Sequence, residues 1–233
     1  MKRKAANIIF VTGTDTGVGK TVLTTLLTRH LRRSGRNALA MKPFCSGSRA
    51  DVRLLRRAQD HLLTEDEINP FFFAQPLAPA AAAGRRKYIR IDSVVRKIRA
   101  VAARCEILLV EGIGGILVPL EKNFTVADLI LKLGCPVIVV GWNRLGTINH
   151  TLLTVRFLEA AGVEQVVVVL MSAKKPDKSA KSNPKMIEKM LPRTPVLVLP
   201  HLGKKAVAKI NVRFLKKSLA RLLGDDNLVA FFR

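Results

Sequence analysis

The sequence predicts an α/β chain with a mostly parallel central sheet and helices on both faces. Three observations carry that reading. Short Val/Ile/Leu runs recur along the chain, as strands buried on both faces require. Amphipathic stretches of helical length separate them, the alternation that builds parallel sheets. Hydrophobic residues make up 48% of the 233 residues and charged residues 24%, which supports one sizeable core and excludes a disordered chain. A single domain over residues 1–233 is expected, because no internal repeat and no Ser/Gly linker divides it.

The elements follow in order. Ile8-Ile9-Phe10-Val11 reads as a buried strand and runs into a Gly-rich loop. Thr21 to Arg33 places Val22, Leu23, Leu26, Leu27 and Leu31 at helical spacing, with Ser34-Gly35 as the stop. Ala38 to Met41 is a second strand, ending at Lys42-Pro43, and Asp51 to His61 reads as a helix. Residues 69–79 hold too many prolines for a helix interior, and an Ala run and a basic helix follow to about Arg104. Ile107 to Val110 is a third strand, closed by Glu111 and followed by Gly112-Ile113-Gly114-Gly115. Phe124 to Leu133 is helical, Pro136 to Val140 a fourth strand, Thr147 to Ala161 a helix and Val166 to Leu170 a fifth strand. A Lys-rich polar stretch, Ser172 to Lys189, leads through a short helix to a last strand, Pro195 to Leu199. Ile210 to Leu223 is expected to be an amphipathic helix. In such sheets ligands sit at the carboxyl ends of the strands, so the loops after those ends carry the chemistry.

Charge and cysteine usage narrow the function classes. Lys plus Arg is 40 and Asp plus Glu is 17, a net charge of +23. The basic residues are interspersed, and one Trp and one Tyr offer few platforms for stacking bases, so a nucleic-acid module is not expected. A cationic surface still draws in small anions. Three widely spaced Cys exclude a disulfide framework and suit the cytoplasm. Met1-Lys2-Arg3-Lys4 is basic, but the apolar run after it is too short for a signal peptide, and no stretch reaches the ~20 apolar residues of a membrane span.

Strand one ends in Thr12-Gly13-Thr14-Asp15-Thr16-Gly17-Val18-Gly19-Lys20-Thr21, and a helix follows. A Gly-rich turn opening a helix aims backbone N–H groups at an anion, and the helix dipole adds to the pull. This is a P-loop arrangement: Gly17, Val18, Gly19, Lys20, Thr21 and Val22 would hold a nucleoside triphosphate, with Lys20 on the β/γ-phosphates and the Thr21 hydroxyl on Mg²⁺. The spacing carries one extra residue, since the usual leading Gly falls at Thr14 and Gly13 precedes it. Further oxygen ligands for Mg²⁺ are sought in Asp51 and Glu111. Lys42, at the end of strand two, is either a charge that neutralises a transferring phosphoryl group or, on spacing alone, equally a surface Lys.

With these residues in hand the sequence resembles the dethiobiotin synthetase family, ATP-dependent enzymes of biotin biosynthesis. The resemblance rests on Gly13 to Thr21, on Lys42-Pro43-Phe44-Cys45-Ser46-Gly47, on Asn69-Pro70…Phe73…Pro76…Pro79, on Val110 to Gly115 and on Leu145-Gly146-Thr147-Ile148-Asn149-His150. It implies a P-loop NTPase-like fold and a reaction that turns ATP, CO₂ and 7,8-diaminononanoate into dethiobiotin, ADP and phosphate.

It also implies roles. Lys42, Lys20 and Thr16 are the expected catalytic residues, and Thr21, Asp51 and Glu111 the Mg²⁺ ligands. The nucleotide would be held by the phosphate loop, by Glu111, Gly112, Ile113 and Gly114, and around the base by Met171, Ser172, Pro200 and His201. Ser46 and Gly146, Thr147, Ile148 and Asn149 would hold the diamine, the last four across a homodimer interface.

The chain departs from the family in places. Gly17 stands where many members carry Glu, and Met171-Ser172 where an Asn reads adenine. The link from Ser46 to Asp51 is shorter than in many members. The alternative readings are a P-loop synthetase of the cobyric-acid type, whose accompanying glutaminase domain is not expected in these 233 residues, and a basic nucleic-acid-associated P-loop ATPase.

Overall fold

A computed structural model of the protein describes residues 7–84 and 89–201; the expected helix over 210–223 lies outside the described residues. In chain order the first half comprises β1 (Asn7–Gly13), α1 (Lys20–Arg33), β2 (Ala38–Met41), β3 (Phe44–Ser46), α2 (Ala50–Ala58), α3 (Glu65–Ile68), β4 (Phe71–Phe73), α4 (Pro79–Ala83) and α5 (Ile91–Ala102). The second half comprises β5 (Ile107–Gly115), β6 (Pro119–Glu121), β7 (Phe124–Thr125), α6 (Val126–Leu133), β8 (Val137–Trp142), α7 (Thr147–Ala160), β9 (Val166–Met171), a 3-10 turn at Lys178–Lys181, α8 (Asn183–Met190) and β10 (Val196–Leu199).

Six strands form the main sheet in the order β10-β9-β8-β1-β5-β2, and every pairing in it is parallel. Ile9, Phe10 and Val11 of β1, Ile107 to Val110 of β5 and Val137 to Val140 of β8 are all buried. These continuous apolar runs are the centre of a sheet covered on both faces. Leu23, Leu26, Leu27 and Leu31 of α1 join the same core as Val94, Ile98 and Val101 of α5. Thr24 and Thr28 are buried in α1 because their hydroxyls donate to the carbonyls of Lys20 (3.0 Å) and Thr24 (2.7 Å), one turn back.

Three expectations are corrected. β5 does not end at Val110: its pairing with β1 continues through Val11↔Glu111, so Glu111 lies inside a central strand rather than closing it. Residues 119–125 form a small antiparallel ribbon, β6 with β7, and the helix expected from Phe124 begins at Val126. There Thr125 caps α6, exchanging hydrogen bonds with Asp128 in a capping box. The helix expected to reach His61 stops at Ala58, and Asp60 and His61 turn the chain in left-handed conformations (φ 52° and 60°).

The irregular segment 69–79 holds one short strand. β4 pairs in parallel with β3, and the Phe44 and Phe71 rings stack with centroids 5.3 Å apart. Buried Asn69 fastens the two, donating from its amide to the carbonyls of Lys42 (2.9 Å) and Pro43 (3.2 Å). This fixes the backbone that carries Lys42.

β2 is an edge strand, and a side chain completes part of it. Gln59, fully buried, accepts from the Ala40 N–H (2.9 Å) and donates to the Ala40 carbonyl (3.1 Å), as a neighbouring strand would. Replacing Gln59 by Leu strands both backbone groups, at about 1–3 kcal/mol each. Urea unfolding of Gln59→Leu is expected to show a loss of about 2–5 kcal/mol; a loss under about 1 kcal/mol would contradict this role.

Candidate active site

The phosphate loop bridges β1 and α1 at the carboxyl edge of the sheet. Gly17 and Gly19 take left-handed backbone (φ 74° and 100°) that other residues enter at a cost. Lys20 reaches back over the loop and donates to the carbonyls of Asp15 (2.8 Å) and Gly114 (2.9 Å). Burial lowers its pKa from 10.5 to about 8, against the pull of Glu111. Lys20 therefore remains mostly protonated at neutral pH. The loop is seated on neighbouring strands: the Thr14 N–H donates to the Val140 carbonyl (2.9 Å), and the Trp142 indole N–H donates to the Gly17 carbonyl (3.0 Å).

Glu111 stands across from the loop, fully buried. Its Oε1 accepts from the Thr21 hydroxyl (2.6 Å) and from the Lys42 ammonium (2.7 Å). The same ammonium donates to Asp51 Oδ2 at 2.5 Å. Burial pulls the pKa of Lys42 down, but the Glu111 and Asp51 carboxylates outweigh it and hold the pKa above its ordinary value. Glu111 Oε2 is buried and has no hydrogen-bond partner among the described residues. A buried carboxylate oxygen without a partner is costly unless a cation or donor meets it.

The donor set of Thr21 Oγ1, Asp51 and Glu111 is all oxygen. It fits a hard cation that keeps several waters and takes phosphate oxygens, as Mg²⁺ does. Among the described residues no group of three or more His, Cys, Asp and Glu converges to offer a softer or fully protein-made site.

Most of the sequence-predicted residues meet around one cleft of about 310 Å³. Thr16, Gly17, Gly19, Lys20, Thr21 and Val22 line one side, and Lys42, Ser46, Asp51, Glu111, Ile113 and Gly114 the other. Val22, expected at the nucleotide, is exposed at this cleft. Val18 and Gly112 are buried and shape the cleft from beneath; a Cβ at residue 112 would lie 2.8 Å from the Phe10 ring. Gly114 is required twice over: it has φ 59°, and a Cβ there would meet Val118 at 2.6 Å and approach the Thr16 hydroxyl at 3.4 Å. A larger groove, about 490 Å³, lies around Val166, Thr194 and Pro195 at the opposite end of the sheet, away from this charge cluster. Its size does not make it the reaction centre.

The remaining predicted residues fall elsewhere. Met171 is buried with its side chain against Gly19, 3.0 Å from a Cβ built there. Ser172 lines a neighbouring cleft of about 590 Å³ with Asn143, Lys181 and Val198. Pro200 and His201 are exposed just beyond β10. Gly146, Thr147, Ile148 and Asn149 open α7 and do not line the 310 Å³ cleft of their own chain; Thr147 is buried and Asn149 exposed.

Sequence reasoning missed Trp142, whose loop contact no motif marks. It also missed Asn143, which donates to the Ala180 carbonyl and accepts from Asn183. Cys45 lines the cleft, but its thiol donates to the Ser48 carbonyl and burial raises its pKa, so it is not an activated nucleophile.

Comparison with known proteins identifies the family. The AAA-domain family profile AAA_26 matches residues 7–206. The chain is 45% identical over 200 residues to the ATP-dependent dethiobiotin synthetase BioD of Anaeromyxobacter sp. (strain K), covering 82% of this chain and 89% of that one. It is 39% identical over 188 residues to the enzyme of the same name from Bacillus subtilis (strain 168), covering 78% of this chain and 81% of the relative. Among solved structures, the hydrogenase maturation factor HypB of Archaeoglobus fulgidus superposes with a TM-score of 0.51 at 16% identity, over 92% of this chain and 91% of that chain. That likeness shows the P-loop NTPase fold alone. With this identity over most of its length, the chain belongs to the ATP-dependent dethiobiotin synthetase family.

Proposed function

We infer that the chain closes a ureido ring on 7,8-diaminononanoate, using CO₂ and ATP and releasing dethiobiotin, ADP and phosphate. One observation carries the reading at residue level. Lys20, Thr21, Lys42, Asp51 and Glu111 converge on one cleft in a chain of this family. Phosphoryl transfer asks mainly for positioning and charge neutralisation, and this cluster supplies both. We read the chain as a single domain, a reading supported by the one core that buried residues from β1 to β10 share among the described residues.

The chemistry runs in three steps. One diamine nitrogen adds to CO₂ and loses a proton, giving a carbamate. A carbamate oxygen attacks the γ-phosphorus and ADP leaves. The second nitrogen attacks the carbamate carbon and loses a proton; phosphate departs with the carbamate oxygen and the ring closes.

The residues divide this work. The phosphate loop and Lys20 hold the triphosphate, and Thr16, beside Gly114 at the mouth, donates to it. Lys42 holds the carbamate and offsets charge on the phosphoryl group in flight. Ser46, on the same wall, meets the diamine. Thr21, Asp51 and Glu111 would hold Mg²⁺, which when bound supplies Lewis-acid neutralisation of the phosphate oxygens. The orphaned Glu111 Oε2 supports that assignment. Met171 packs against Gly19 and Ser172 lines the 590 Å³ cleft, which supports a base site there; Pro200 and His201, expected beside the base, are not among the residues that line it.

Gly146 to Asn149 act on a second copy's cleft in a homodimer. The exposed apolar residues around them support that face as the interface: Leu145, Leu153 and Phe157 are 81%, 65% and 41% exposed. Three free cysteines support a cytoplasmic enzyme, and among the described residues no helix is long and apolar enough to cross a membrane.

Two predictions follow from these roles. Phosphate release is expected to depend on supplying both diaminononanoate and bicarbonate, and Lys20→Ala and Lys42→Ala are each expected to fall below about 1% of that rate at a temperature where circular dichroism shows them folded. Hydrolysis indifferent to the diamine would remove the reaction, and near-normal turnover in either variant would remove that lysine's role. Light scattering is expected to find the unmodified chain a dimer and Leu153→Arg a monomer. A monomeric parent, or an intact dimer in the variant, would contradict the interface.

A further inference from the structure

We propose that Trp142 is a positioning residue for ATP: its indole N–H holds the apex of the phosphate loop in the shape that receives the triphosphate. The inference rests on the ATP reading above.

Several contacts attach the loop to its surroundings, among them the Lys20 ammonium on the Gly114 carbonyl of β5 (2.9 Å) and the buried Val18 side chain. Thr14 is fixed by its N–H to the Val140 carbonyl at 2.9 Å. Gly19 is backed by the Met171 side chain, which comes to 3.0 Å of a Cβ built on it. Between them runs the stretch Asp15-Thr16-Gly17-Val18, which carries the extra residue of this loop. Asp15 is held through its carbonyl, which accepts from the Lys20 ammonium at 2.8 Å, and its Oδ1 accepts from the Thr16 N–H at 2.6 Å within the loop. The Gly17 carbonyl is held from outside the loop by the Trp142 indole, which spans 125 positions of sequence to reach it at 3.0 Å.

Gly17 needs such a restraint. Its φ is 74°, and a Cβ there would meet nothing within 4 Å, so the residue is open on that side. Glycine left unpacked has more backbone freedom to lose on binding than any other residue. A hydrogen bond to its carbonyl removes part of that freedom before the nucleotide arrives, and preorganisation of this kind lowers the cost of binding. Trp142 is well placed to hold it. It ends β8, pairs with Met171 in the ladder and is partly buried against the core. The indole nitrogen is a donor only, so the bond cannot reverse direction.

The test compares the full-length parent with Trp142→Phe, which keeps an aromatic ring and lacks the N–H. Calorimetric titration with ATP and Mg²⁺ is expected to give a dissociation constant about three- to tenfold weaker in the variant, as the loss of one hydrogen bond implies. The KM for diaminononanoate and the melting temperature are expected to stay unchanged. Equal ATP affinity in the two proteins would overturn the proposal. So would a lower melting temperature with both KM values raised together, which marks a structural role. Failure of the parent itself to bind ATP would overturn the nucleotide reading, and this proposal with it.

Discussion

A carboxylate buried in the middle of an apolar sheet is expensive, and Glu111 is one. It sits in β5 between Val110 and Gly112, with a neighbouring position on β1 held by Val11. Removing a charge from water is repaid only where partners of opposite charge and good geometry meet it. Here the Lys42 ammonium and the Thr21 hydroxyl meet Oε1, and Oε2 has no hydrogen-bond partner among the described residues. The three side chains come from β5, the end of β2 and the start of α1. One costly group thus ties three elements together at the rim where chemistry takes place. A buried pair of this kind is seldom the best route to stability, so its presence at a cleft points to function.

The rest of the architecture can be understood as support for that rim. Asn69 and the β3–β4 pair hold the backbone around Lys42. Gly112 and Gly114 let β5 pass close to Phe10 and to the loop. Lys42 is shared between Glu111 and Asp51, so a single ammonium satisfies the two carboxylates that a cation would otherwise bridge. The basic surface is separate from this arrangement. Its net charge of +23 does not organise the cleft, where two lysines face two carboxylates.

The legible parts of the sequence were those with a local signature. Continuous apolar runs located the six strands of the main sheet, because a strand buried on both faces leaves no other pattern. Gly17, Gly19, Lys20 and Thr21 were legible because a phosphate loop needs those residue types at close spacing. Glu111 stood out as an acid beside a buried run. What could not be read came from contacts between distant segments. Nothing local marks Gln59 as a substitute strand edge or Trp142 as a brace for Gly17, since each bonds to backbone far away in sequence. The extension of β5 past Val110 was hidden for a related reason: glycines suggest a loop, and only the ladder with β1 keeps them extended.

We propose that the Glu111 carboxylate anchors the cation that accompanies the triphosphate. The most direct measurement is electron paramagnetic resonance titration of Mn²⁺ into the protein saturated with a non-hydrolysable ATP analogue, comparing the parent with Glu111→Gln. The predicted result is a Mn²⁺ affinity at least about tenfold weaker in the variant, as loss of a charged oxygen ligand requires. Equal Mn²⁺ affinity in the two proteins, with the analogue bound to both, would contradict the account.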